Sequence, residues 1–144
     1  KQMKLIGMVS EHDFVKLVVG KYFDISINEA MSHKPLFVTP DISILTCIKT
    51  MVNTQYHRLP IVANKEIVGM ITGNEILRYL DETNYNPALL HERLEHIMTS
   101  PVIYTAEHDD VSEAVKLMIE NNIEVSKVIS YDIKKIDSDY FIEE

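Results

Sequence analysis

One phrase occurs twice in this chain of 144 residues. IGMVSEHDFVKLV at 6–18 and VGMITGNEILRYL at 68–80 share a Gly followed by two apolar residues, then Ser or Thr, then an acid three residues later. Apolar positions at helical spacing follow in both. Such self-similarity marks one supersecondary unit used more than once, with neighbouring copies burying each other's apolar faces. A second phrase is doubled as well. PLFVTPDISILTCIKTMV at 35–52 and PVIYTAEHDDVSEAVKLMI at 101–119 each read as a short strand, a polar turn and an amphipathic helix. Ile44, Leu45, Ile48, Met51 and Val52 predict the buried face of the first helix, and Val111, Ala114, Val115, Met118 and Ile119 that of the second. The lead-ins match too: AMS at 30–32 and IMT at 97–99.

The repeating unit is therefore strand, helix, strand, strand, helix. Residues 27–80 hold a complete copy. Residues 3–22 hold only a back half, 81–93 read as a polar connector, and 94–144 hold a clear front half with a degenerate or incomplete back half. NNIEVSKVIS offers the next strand, but no Gly followed by two apolar residues comes after it. If strand residues are missing there, Asp139, Tyr140 and Phe141 align with Asp13, Phe14 and Val15. A chain that starts in mid-repeat reads as a piece of a longer array, or as one with segments absent.

Composition narrows the function. A net charge of -8 argues against nucleic-acid binding, which calls for a basic patch to replace phosphate counterions. The single cysteine, Cys47, lies in an apolar helical pattern and is expected in the core, with neither a disulfide nor a Cys-rich metal site. No apolar run approaches the roughly 20 residues that span a bilayer, and no signal peptide is visible. These features predict a cytoplasmic domain without a membrane segment. HERLEH (91–96) sets two His five apart, off a shared helix face, and reads as a solvated helix rather than a metal site. His108-Asp109-Asp110 reads as a helix cap. With four glycines and no P-loop, dinucleotide fingerprint or nucleophile elbow, no catalytic constellation emerges, and the chain reads as a non-enzyme.

The order and spacing of AMSHKPLFVTPDISILTCIKTMV, HRLPIV and IVGMITGNEIL, with their second instances GMVSEHDFV and IMTSPVIYT, resemble the CBS domain, a small βαββα module of the α+β type. The resemblance implies motifs packed in pairs through their small sheets, pairs that associate as homodimers, and an adenosyl ligand in the cleft between paired motifs. AMP, ADP, ATP or S-adenosylmethionine are the ligands implied, with no required cofactor and no metal. The role implied is regulatory, with ligand occupancy passed to a partner. Two rivals remain: a structural dimerisation module without ligand, and a regulatory fragment of a larger enzyme or transporter.

The resemblance also assigns residues. Its S/T-x-x-D signature falls on Ser10 and Asp13, and on Thr72 and Glu75, where Glu is one methylene longer than the family's Asp. A carboxylate can accept from both hydroxyls of a ribose through charge-assisted bonds, and the helix that follows presents free N–H groups to a phosphate. The same residues also fit a plain capping box. HRLPIV resembles the phosphate-contacting segment of the gamma subunit of AMP-activated protein kinase. It assigns His57 and Arg58 to phosphate, although a solvated strand edge or a salt bridge would also suit them. Met8, Ser32, Leu36, Tyr56, Thr99 and Val102 fall where the family lines its adenine cleft. The best-formed site is expected to join Met8, Ser10 and Asp13 to Ser32, Leu36, Tyr56, His57 and Arg58.

Overall fold

The computed structural model describes residues 4–9, 25–120 and 128–132. They form two compact units, one of 36–101, the other of the described residues up to Pro35 together with those from Val102 onward.

In the unit 36–101, Ser43 caps the helix α2 (Ile44–Thr54), its Oγ accepting from Thr46 N at 3.1 Å. Gln55, at φ 61°, ends it in the left-handed conformation common at helix C-termini. Strands β3 (Arg58–Ala63) and β4 (Glu66–Thr72) follow as an antiparallel hairpin. Asn64 and Lys65 both have positive φ, the pattern of the two-residue turn whose twist suits a hairpin. Val38 joins β3 as a short parallel strand, donating to Pro60 O and accepting from Val62 N. Thr99 joins β4 on the other side, exchanging both backbone bonds with Met70. Helix α3 (Gly73–Glu82) completes the βαββα order.

Strand alternation gives this small sheet two faces. Leu59, Ile61 and Ile71 pack with Ile44, Cys47, Met51 and Ile76 in the core beneath α2 and α3. Arg58, Pro60, Met70 and Thr72, paired across the hairpin, lie on the opposite face. The buried stripe of α2 is Ile44, Cys47 and Met51, as the apolar pattern requires in part. Val52, expected in it, is 71% exposed, because it continues the neighbouring Ile48 row. The core placement of Cys47 holds, and burial pushes its thiol up to about 12. The 91–96 stretch departs from expectation. Instead of a solvated helix there are 3-10 turns at Pro87–His91 and Leu94–His96. Leu94 is fully buried, and Ile44 N to Glu92 O and Leu94 N to Ile42 O tie the segment to the start of α2.

The other unit has the same plan drawn from both ends of the chain. Its sheet runs in the order β2 (Ser32–His33), β1 (Lys4–Met8), β6 (Val128–Asp132), β5 (Ile103–Ala106). Strands β5 and β6 are parallel, β6 and β1 antiparallel, β1 and β2 antiparallel. This is the pairing of Val38, β3, β4 and Thr99 repeated. The early back half thus supplies the strand that the late front half needs. Helix α4 (Val111–Glu120) buries Val111 and Ala114 against Val9, Ile27 and Met31, the last two at the ends of the short helix α1 (Ile27–Ala30). Residues 139–141, whose alignment with 13–15 was considered above, lie outside the described residues.

Candidate functional site

Strand β4 ends at a corner where it hands over to polar residues. Thr72 ends β4 in an extended conformation and caps α3. Glu75 N donates to Thr72 Oγ1 at 3.2 Å, and Thr72 N donates to Glu75 Oε2 at 2.8 Å, so both halves of a capping box are present. The Thr72 hydroxyl also donates to Glu75 Oε2, at 3.0 Å. The second carboxylate oxygen, Oε1, accepts from the Thr99 hydroxyl.

Thr99 reaches this corner because the preceding strand lacks a side chain. A Cβ on Gly69 would stand 2.7 Å from Met98 Sδ and 3.0 Å from the Thr99 carbonyl oxygen. The other unit repeats the arrangement. A Cβ on Gly7 would collide with Met31 Sδ and stand 2.9 Å from the Ser32 carbonyl oxygen, while Met8 lies opposite Ser32. The glycines therefore permit close backbone approach of each lead-in. The sequence carried the signal as a repeated Gly-Met together with a repeated Met in AMS and IMT, but its meaning needed the register.

The two units hold the site residues unevenly. Arg58, half-buried, lies opposite Thr72, so the structure brings Arg58, Thr72, Glu75 and Thr99 to one end of one hairpin. His57 is exposed, and its carbonyl accepts from Gly73 N at 2.9 Å. It lines a different feature, a groove of about 620 Å³ between α2 and α3, with Ile48, Met51, Val52, Gln55, Ile76 and Leu77. Tyr56 is 55% exposed, and Leu36 is half-buried beside the short Phe37–Val38 strand. In the other unit Met8 and Val102 are half-buried and Ser32 is exposed. Ser10 and Asp13 lie outside the described residues. Among the described residues, no group of three or more His, Cys, Asp or Glu is placed to hold a metal. No helix among them is long and apolar enough to cross a membrane.

Two units with the same strand pairing and a Gly-pinned lead-in strand, one of them with a capped strand-to-helix corner at Thr72, define a tandem βαββα repeat protein. The CBS domain profile matches residues 25–82 and 94–136, and the chain belongs to the CBS domain family. It is 24% identical over 140 residues to the uncharacterized protein MJ1225 of Methanocaldococcus jannaschii, covering 91% of this chain and 50% of that one. It is also 24% identical over 131 residues to an uncharacterized 33.4 kDa protein in a ribosomal RNA operon of Thermofilum pendens, covering 85% and 44%. The chain thus spans about half the length of the relatives it matches. Among solved structures it is similar to the CBS domain pair of protein MJ0100 in complex with 5′-methylthioadenosine and S-adenosyl-L-methionine. That match has a TM-score of 0.59 at 27% identity, over 69% of this chain and 76% of that one.

Proposed function

We propose that the chain is a regulatory module, not an enzyme, that senses an adenosyl ligand and passes its occupancy to a partner. The observation that carries this reading is the likeness at 27% identity to a CBS pair solved with two adenosyl compounds. Both share an adenine and a ribose, so the recognition common to them is of a purine face and a vicinal diol. In this chain Asp13, supported by Ser10, is proposed to accept from the ribose hydroxyls, and Met8 and Ser32, which pair with each other across two strands, are proposed to line the adenine cleft. Arg58 is proposed as the contact that distinguishes ligands with phosphate, such as AMP, ADP or ATP, from those without. Ligand binding then favours one packing of the module, and the partner reads the shift in population.

A homodimer belongs to the same proposal. The groove between α2 and α3 is lined by no Asp, Glu, Lys or Arg, in a chain of net charge -8. Val52 and Leu77 stand beside it at 71% and 60% exposure. A second copy offers the same groove and the same protruding side chains, the self-complementarity a two-fold interface needs. A non-binding dimerisation module is the second reading, favoured by the capping role already taken by Thr72 and Glu75.

Calorimetric titration with AMP, ATP and S-adenosylmethionine tests the proposal. Binding near micromolar strength, about -8 kcal/mol, supports the sensor. No heat with all three, from folded protein, leaves the dimerisation module as the better reading.

A further inference from the structure

We infer that Met98 is a peroxide-oxidisable site whose conversion to the sulfoxide unpins the 97–99 lead-in from β4. Backbone, hydroxyl and thioether contacts hold that lead-in on the strand. Thr99 and Met70 exchange both backbone hydrogen bonds, at 2.9 and 3.0 Å. The Thr99 hydroxyl donates to Glu75. The Met98 thioether sits over Gly69, so close that a Cβ there would stand 2.7 Å from Sδ.

The seat is shaped for a bare thioether. The Thr99 carbonyl oxygen bounds the same space, 3.0 Å from that Cβ position. Oxidation turns an apolar, flexible side chain into a polar one with an oxygen on sulfur. Towards Gly69 that oxygen meets a strand with no room for a methyl group, beside a carbonyl that can only accept. Met98 also packs against the core that includes Ile71 and Leu94, where a polar oxygen finds no donor among apolar side chains. Turning the oxygen to water instead lifts the sulfur off Gly69. Access separates Met98 from its counterpart. Met31 sits over Gly7 in the same way but is 5% exposed, and Met51 and Met70 are 7% and 1% exposed. Met98 is half-buried, as is Met8 on β1. The chemistry is a single oxygen transfer from hydrogen peroxide. Its O–O bond breaks, an S–O bond forms, and sulfur gives up two electrons. The proton of the transferred oxygen goes to the departing hydroxide, which leaves as water. Methionine sulfoxide reductases reverse the change, so the pin can be reset.

The experiment is treatment of the full chain with hydrogen peroxide, with sulfoxides located by peptide mass mapping and amide exchange followed by NMR. Met98 is expected to oxidise ahead of Met31, Met51 and Met70. Exchange at the Thr99 and Met70 amides should then quicken by about tenfold or more, while the Val38 and Val62 amides keep their protection. Reductase treatment should restore the slow exchange. Met98→Leu keeps the apolar volume, and should hold its protection under the same peroxide even as Met8 oxidises. The wild type before and after reductase treatment decides the matter should Met98→Leu fail to fold. Oxidation of Met98 no faster than that of the three buried methionines overturns the inference. So does unchanged exchange at Thr99 and Met70 once Met98 is a sulfoxide, or an equal loss of protection in Met98→Leu.

Discussion

Gly7 pairs with Ser130, so a strand near the start of the chain is laid against one near its end. The other edge of the same strand pairs with Ser32 and His33. β1 is thus interior to its sheet, and removing it strips partners from both neighbours at once. Deleting residues 1–9 is expected to speed amide exchange sharply in Met31–His33 and in β6. The amides of β3 and β4 should keep their protection, because their pairing lies wholly within 36–101. Exchange measured by mass spectrometry separates the two responses, and uniform loss across both units would refute this independence.

Gly69 faces a backbone carbonyl, where relaxation is harder than against the end of a Met side chain. A methyl group there stands 3.0 Å from the Thr99 oxygen as well as 2.7 Å from Met98 Sδ. Gly69→Ala is therefore expected to lower stability by about 1–3 kcal/mol, the usual range for overpacking. A drop in the urea midpoint without a change in slope would show it. An unchanged midpoint would mean that the lead-in moves aside at no penalty.

The repeat made most of the fold legible. In the copy at 68–80 Gly69 falls inside β4, Thr72 at its end and Glu75 in the first turn of α3, and helical spacing located α2 and α4. Joining a back half to a front half from the far end of the chain was beyond it, because strand pairing over that distance leaves no local signature. Leu94 was misread for a related reason. Charged neighbours on both sides hide its burial, and only the backbone bonds from Leu94 to Ile42 and from Ile44 to Glu92 explain it. At the candidate site, residue types allowed both ribose and cap chemistry for Thr72 and Glu75, with the longer Glu favouring the cap, and the capping box is present. The hydrogen bond from Thr99, supplied by the next lead-in, could not be foreseen from spacing.

Cys47 provides a pH test. Its side chain is fully buried, and burial raises the thiol from about 9 to about 12. The folded value exceeds the unfolded one, so below pH 9 the group contributes no pH dependence. Between pH 9 and 12 the unfolded chain ionises this thiol while the native one does not, and stability falls as pH rises. Native protein is accordingly expected to resist a thiol reagent at pH 8 and to react fully in denaturant. Cys47→Ala should flatten the alkaline limb of the stability curve. Rapid labelling of the native protein would contradict the burial.

Leu77 tests the second-copy reading of the groove. At 60% exposure it already faces water, so Leu77→Glu should leave the fold unstrained. In a two-fold interface the substitution brings two carboxylates into an apolar seam and removes two Leu side chains. Burial of each is worth about 1.5–3 kcal/mol. The dimer should weaken at least tenfold in sedimentation equilibrium, with the melting temperature of the isolated chain nearly unchanged. A wild-type chain that sediments as a monomer at all accessible concentrations would defeat the proposal directly.

Asp13 and Arg58 should fail in different ways. A carboxylate that accepts from a diol matters for every adenosyl ligand. Asp13→Ala is expected to weaken AMP and 5′-methylthioadenosine alike, by about 1.5–3 kcal/mol each, the worth of hydrogen bonds to a charged group. A guanidinium that forks onto phosphate oxygens matters only where phosphate is present. Arg58→Ala should therefore weaken AMP by a similar amount and leave 5′-methylthioadenosine within experimental error, and the AMP affinity of the wild type should fall with salt more steeply than that of the variant. Arg58→Lys keeps the charge and loses the fork, so it should recover part of the AMP affinity. Equal losses for both ligands in Arg58→Ala would assign Arg58 to holding the hairpin end opposite Thr72 rather than to phosphate.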